Sequence, residues 1–73
     1  MKFYSETCHP VRAKTSEEAA AIFANRIIRR RISWRMRAAY IRLNAVYPTQ
    51  GSAEYTAFCK DGSSITFFVT RAK

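Results

Sequence analysis

The chain alternates between two hydrophobic periods. From Ala19 to Ile28 the apolar positions recur at helical spacing: Ala20, Phe23, Ala24, Ile27 and Ile28 fall on one side at 100° per residue. Glu18, Asn25, Arg26 and Arg29 lie opposite, with Ile22 an exception on the polar side. Thr15 or Ser16 caps this helix. Thr15 and Glu18 have capping-box spacing, and Glu17 and Glu18 suit the positive end of the dipole. Arg31 would fall on the apolar face, so the helix is expected over residues 16–30.

Elsewhere the period is two. Residues 2–13 read as one extended segment, an edge strand or one broken at Pro10, which has no N–H to give a ladder. Ile41, Leu43, Ala45 and Tyr47 share one parity, with a bulge or a late strand start expected at Ala38-Ala39. Pro48 to Ser52 is a turn cluster. Asp61-Gly62 centres a hairpin. A three-residue loop, Lys60 to Gly62, pairs Cys59 with Ser63, Ala57 with Ile65 and Tyr55 with Phe67. That register gives one apolar face and puts Gly62 in the left-handed position. The opposite face then carries Phe58, Phe68, Thr56, Thr66 and Thr70. The fold class expected is α+β: one amphipathic helix packed on a small, mainly antiparallel four-stranded sheet, in the order strand-helix-strand-strand-strand. Phe23, Ile27, Ile41, Leu43, Tyr55, Phe67 and Val69 are its expected core.

At 73 residues this is a single domain, and 48% hydrophobic content is too high for a disordered basic tail. No apolar run approaches the ~20 residues that span a bilayer, and the first residues lack the apolar core of a signal peptide. A cytoplasmic protein with reduced thiols, inside a bacterial host, is the expectation. Cys8 and Cys59 are a weak case for a disulfide scaffold.

Charge changes the picture most. The net charge is +8, and seven of the thirteen basic residues are arginines within residues 26–42, with no acidic residue between Glu18 and Glu54. Arg26, Arg29, Arg30, Arg31, Arg35 and Arg37 are the candidate partner-binding residues. Arginine favours bidentate contacts with phosphate or carboxylate, and a single-signed block is not a salt-bridge-laced surface. The alternative is a solvated helix end and strand face. Trp34 and Tyr40 interleave with the block and could stack on bases. Trp34 by itself reads as core, since large aromatics usually bury most of their surface.

Catalytic and metal chemistry find little support. Cys8, His9 and Cys59 lack zinc-site spacing, and neighbouring Cys8 and His9 on a strand would point to opposite faces. No carboxylate pair or glycine-rich phosphate cradle is present. A non-enzyme without cofactor, metal or small-molecule substrate is expected. The helix's alanine-rich face suits packing on a sheet better than insertion into a membrane.

The segments Val11-Arg12-Ala13-Lys14-Thr15-Ser16-Glu17-Glu18-Ala19, Tyr40-Ile41-Arg42 and Phe58-Cys59-Lys60-Asp61-Gly62 resemble a small phage-encoded anti-CRISPR protein, a short basic inhibitor of type I-F systems. The resemblance is a pattern of elements over residues 11–69, and the arginine run here is heavier than in those inhibitors. It implies a non-catalytic inhibitor that occupies the target-DNA path on the backbone subunits of a CRISPR surveillance complex. Two other readings stand beside it: a nonspecific DNA- or RNA-binding module using the same patch, and a protein whose arginines bind an acidic protein surface. No DNA-reading helix motif or RNA-binding signature separates them.

Overall fold

The computed structural model describes residues 1–6 and 8–72. Its elements are β1 (Lys2–Tyr4), β2 (Val11–Arg12), α1 (Ser16–Arg31), β3 (Tyr40–Tyr47), β4 (Ser52–Phe58) and β5 (Ser64–Arg71), with a 3-10 turn over Pro48–Gln50. The strands form one antiparallel sheet in the order β2-β1-β5-β4-β3. The fold is α+β with one helix, as expected, but the sheet has five strands rather than four.

The fifth strand comes from the N-terminal segment, which is two strands and not one. Glu6 takes a positive φ of 44°, and the Cys8 N–H donates to the Ser5 carbonyl at 3.0 Å, so the chain turns back before Pro10. Phe3 then faces Val11 across the ladder. On its other side β1 pairs with the end of β5, Tyr4 opposite Thr70. Thr7, within the expected strand, lies outside the described residues.

Helix α1 starts where its cap predicts. Thr15 is extended, and its hydroxyl accepts the Glu18 N–H at 3.2 Å, worth about 1 kcal/mol. The Glu18 carboxylate reaches back to the Lys14 N–H at 3.1 Å rather than to the Thr15 N–H. Three arginines fill the last turn, which ends at Arg31, one residue beyond expectation. Ile32 closes it by donating to the Ile28 carbonyl. The buried side, Ala19, Ala20, Phe23, Ala24, Ile27 and Ile28, lies on Phe3, Val11, Tyr55, Ala57, Ile65, Phe67 and Val69. Small alanines let the helix sit close to the sheet, while Phe23, Ile27 and Ile28 fill the depth. The Ser16 hydroxyl, 2.9 Å from the Tyr55 hydroxyl, ties the helix start to β4.

The β4–β5 register is the one its apolar face demands, with Tyr55 opposite Phe67, Ala57 opposite Ile65, and the Cys59 N–H donating to the Ser63 carbonyl at 2.8 Å. Gly62 has φ +93°, which only glycine adopts without strain. The Asp61 carboxylate caps this turn by accepting the Ser63 N–H at 2.9 Å.

Strand β3 departs from expectation. It starts late, at Tyr40, but its bulge is at Asn44: Leu43 faces Tyr55 and Ala45 already faces Glu54. The extra residue returns Val46 to the helix side and sends Ala45 and Tyr47 to the far side. Helix α1 covers this edge only in part. Ile41 is half-buried, and Leu43, expected in the core, is 50% exposed, with Val46 exposed beside it.

Two measurements check this account. Phe23→Ala should cost about 3 kcal/mol in chemical denaturation, whereas Leu43→Ala should cost below about 1 kcal/mol. The pKa of Asp61 is lowered, chiefly by the Ser63 backbone N–H and then by the Ser63 hydroxyl. A depressed folded-state pKa stabilises the fold above the ordinary value of 3.8, and that stability is lost as pH falls through the lower one. The Tm difference between wild type and Asp61→Asn should therefore be constant from pH 7 to about 5 and shrink as pH drops below about 4.

Candidate nucleic-acid interface

The connection from α1 to β3 is an ordered segment folded back on the helix. Beyond the Ile28 carbonyl, which also accepts the Ser33 N–H at 3.1 Å, Ser33 makes a turn. Its carbonyl accepts the Met36 N–H at 3.1 Å and its hydroxyl the Arg35 N–H at 3.3 Å. The Ala38 N–H is held by the Asn25 side-chain oxygen at 3.0 Å, and the Ala39 N–H donates to the Phe58 carbonyl at 2.6 Å. Met36 and Ala38 pack against the core edge, while Trp34, Arg35 and Arg37 face out.

Trp34, at 71% exposure, is not core, because Met36 takes the apolar slot that this short turn can reach. The Arg35 guanidinium sits 4.8 Å over its ring, within cation–π range. Arg29, from the last turn of the helix, and Arg37 complete a shallow open recess with Trp34 and Arg35. Neither Arg29 nor Arg37 has a hydrogen-bond or ion-pair partner among the described residues. A neighbouring recess runs from Arg35 and Arg37 to Lys60 and Asp61 of the β4–β5 turn.

The other three candidates do something else. Arg26 donates to the His9 carbonyl at 3.2 Å, and Arg30 approaches the Cys8 sulfur at 3.9 Å. Arg31 pairs with Glu6 at 2.6 Å. All three reach across to the loop between β1 and β2 and hold it against the helix. The Arg31–Glu6 pair is on the surface and contributes at most about 1 kcal/mol. The six sequence candidates thus divide into three that tether a loop and three that gather at Trp34. Spacing alone does not reveal this division, because it depends on where the β1–β2 loop lands.

Arg42, the seventh arginine of the block, lies on the opposite, helix-free face of the sheet. Its guanidinium is 5.3 Å from the Phe58 ring centroid, and its Nε donates to the Asn44 side-chain oxygen at 3.2 Å. Tyr40 stacks on Phe58 there, with ring centroids 4.7 Å apart and planes 16° apart. Strand alternation puts Phe58 and Phe68 on this face, but the Asn44 bulge is what adds Tyr47.

Among the described residues no group of three His, Cys, Asp or Glu is placed to hold a metal ion. No described helix is long and apolar enough to cross a membrane. Cys8 and Cys59 are both free thiols. Burial, and then the Asp61 charge, raise the pKa of Cys59, so at neutral pH it remains a thiol rather than a nucleophilic thiolate. Reductant should accordingly leave the Tm of the wild-type protein unchanged. In a Cys8→Ser/Cys59→Ser variant, any destabilisation should trace to Cys59→Ser alone; a fall in wild-type Tm on adding reductant would refute this.

No family model, curated protein or solved structure matches the chain.

Proposed function

We propose that this protein is a non-catalytic nucleic-acid binder whose contact surface is Arg29, Arg35 and Arg37 around Trp34. The convergence of three exposed guanidiniums on one exposed indole carries this reading. Like charges gathered in one recess repel, and an anion relieves that repulsion. Guanidinium forks match phosphate oxygens, and the indole offers a face on which a base stacks. An acidic protein patch would satisfy the arginines as well, but acidity by itself gives the indole nothing to stack on.

The resemblance to short basic inhibitors supplies a more specific form of the proposal. There the patch occupies the target-DNA path on the backbone subunits of a CRISPR surveillance complex. Only the resemblance supports that form.

Fluorescence anisotropy with labelled oligonucleotides, together with pull-down of a purified surveillance complex, tests both. The variant of choice is Arg29→Gln/Arg35→Gln/Arg37→Gln, because these three side chains serve no tether, whereas Arg30 and Arg31 hold the β1–β2 loop. Its circular dichroism spectrum should match wild type. Its duplex-DNA affinity should fall at least tenfold. Its log affinity–log salt slope should become shallower by about 0.9 for each phosphate that is no longer neutralised. Undiminished binding would eliminate the patch. Tight binding to the complex with none to free nucleic acid would favour the inhibitor.

A further inference from the structure

The helix-free face of the sheet holds an unusual concentration of aromatic rings. Tyr40 and Phe58 stack at one end, where β3 begins. Tyr47 and Phe68 meet at 6.0 Å toward the other. Tyr4 extends the row onto β1, with the Lys2 ammonium 5.9 Å from its ring centroid. None of these rings is covered by another described element of the fold. Tyr40 is 61% exposed and Phe68 49%. An antiparallel sheet with one bare face ordinarily alternates apolar in and polar out. Here five outward positions are aromatic instead.

The charges on this face are mostly positive. Among the described strand residues, Lys2, Arg12 and Arg42 stand on it against Glu54 alone, a balance of three to one. Glu54 is already engaged, accepting from the Asn44 side-chain amide at 3.1 Å. That same amide donates to Thr56 at 2.6 Å, which fixes Asn44 at the bulge. Its oxygen in turn holds the Arg42 Nε and leaves the two terminal guanidinium nitrogens without a hydrogen-bond partner among the described residues. Asn44 therefore helps hold a cation beside the Tyr40–Phe58 stack, where the guanidinium lies 5.3 Å from the Phe58 ring centroid. On β4 and β5 the hydroxyls bond in pairs, Thr56 to Thr66 at 3.0 Å between the aromatic pairs and Ser52 to Thr70 at 2.8 Å beyond Phe68.

From these observations we infer that the helix-free face binds single-stranded nucleic acid, stacking bases on Tyr40 and Phe68 and holding phosphate with Arg42. Three features select this occupant. Exposed rings match the faces of unpaired bases, which a duplex keeps inside its stack. The cations flank the rings as a backbone running between stacked bases requires. Tyr40 and Tyr47 lie about 20 Å apart along β3, room for several nucleotides. An apolar protein partner would suit the rings and leave Arg42, Lys2 and Arg12 facing no opposite charge.

The inference rests on the nucleic-acid reading above and narrows it to unpaired strands. Anisotropy on the full chain with labelled oligo(dT), oligo(U) and a duplex of equal length tests it. Tyr40→Ala and Phe68→Ala remove exposed rings, and Tyr40→Phe keeps the ring and loses only the hydroxyl. Each alanine variant should weaken binding of both single strands about fivefold or more while leaving duplex affinity within twofold. Tyr40→Phe should restore wild-type affinity. Unfolding curves that overlay wild type would exclude loss of fold as the cause. Single-strand binding that survives both ring removals but collapses in the Arg29/Arg35/Arg37 variant would overturn the platform and leave the arginine patch standing. Failure of wild type to bind any oligonucleotide would overturn both.

Discussion

The packing of Phe23, Ile27 and Ile28 on Phe67 and Val69 organises the molecule. Among the described residues there is one α-helix, and it must cover the sheet alone. Sixteen residues give a rod about 24 Å long and about 10 Å across. Five strands at ~4.8 Å spacing are about 19 Å between their outer axes, so one helix cannot cover them all. It lies chiefly on β5, the central strand, and its flank reaches β2. Phe3 and Val11 are buried on that flank, which explains why two short N-terminal strands add to the sheet there. The edge at β3 is covered only in part, with Ile41 half-buried there. Leu43 and Val46 are left half exposed by the helix's width, although their side chains point to its side.

Local chemistry was legible in the sequence wherever the interaction is local. The Thr15 cap reads out within three residues. The β4–β5 register follows from matching the faces of two strands joined by a Gly62 turn. Three features escaped because their causes are distant. Nothing in Lys2-Phe3-Tyr4 announces pairing with the other end of the chain, yet Tyr4 lies opposite Thr70. The Asn44 bulge is held by Glu54 and Thr56 on the next strand, so alternation along β3 alone gave the wrong parity past Leu43. Trp34 looked like core by size. Met36 fills the place it would have taken, and the Asn25 amide that pins this segment lies thirteen positions from its partner Ala38.

The candidate site shows the same divide. That the arginines matter is visible as composition, but which ones are available is a tertiary question. Arg26, Arg30 and Arg31 are drawn to a loop that includes Glu6, Cys8 and His9. Arg29, Arg35 and Arg37 form no ion pair among the described residues. All three basic residues at the end of α1 gain something from the negative helix terminus, about 0.3–1 kcal/mol each at a surface position. That term favours a cation in the last turn without deciding its other contacts. It does not apply to Arg35 and Arg37, which lie beyond the helix and beside an indole, so the helix dipole cannot be the reason for their charge.

Position along the chain links the two proposed surfaces. Arg37 precedes Tyr40 by three residues, and the Ala39–Phe58 hydrogen bond anchors that step to the sheet. Three residues of chain thus join the arginine recess to the start of β3 and its Tyr40–Phe58 stack. A compact anion could fill the recess but would not extend to the rings. A flexible polyanion could do both, passing from the guanidiniums around Trp34 onto the aromatic row and over Arg42. Duplex DNA is too stiff to turn so sharply around one edge of a domain whose longest dimension is 35 Å, since it resists bending over about 500 Å. An unpaired strand bends freely, so a path that joins the two proposed surfaces would suit the same occupant that the rings are proposed to bind.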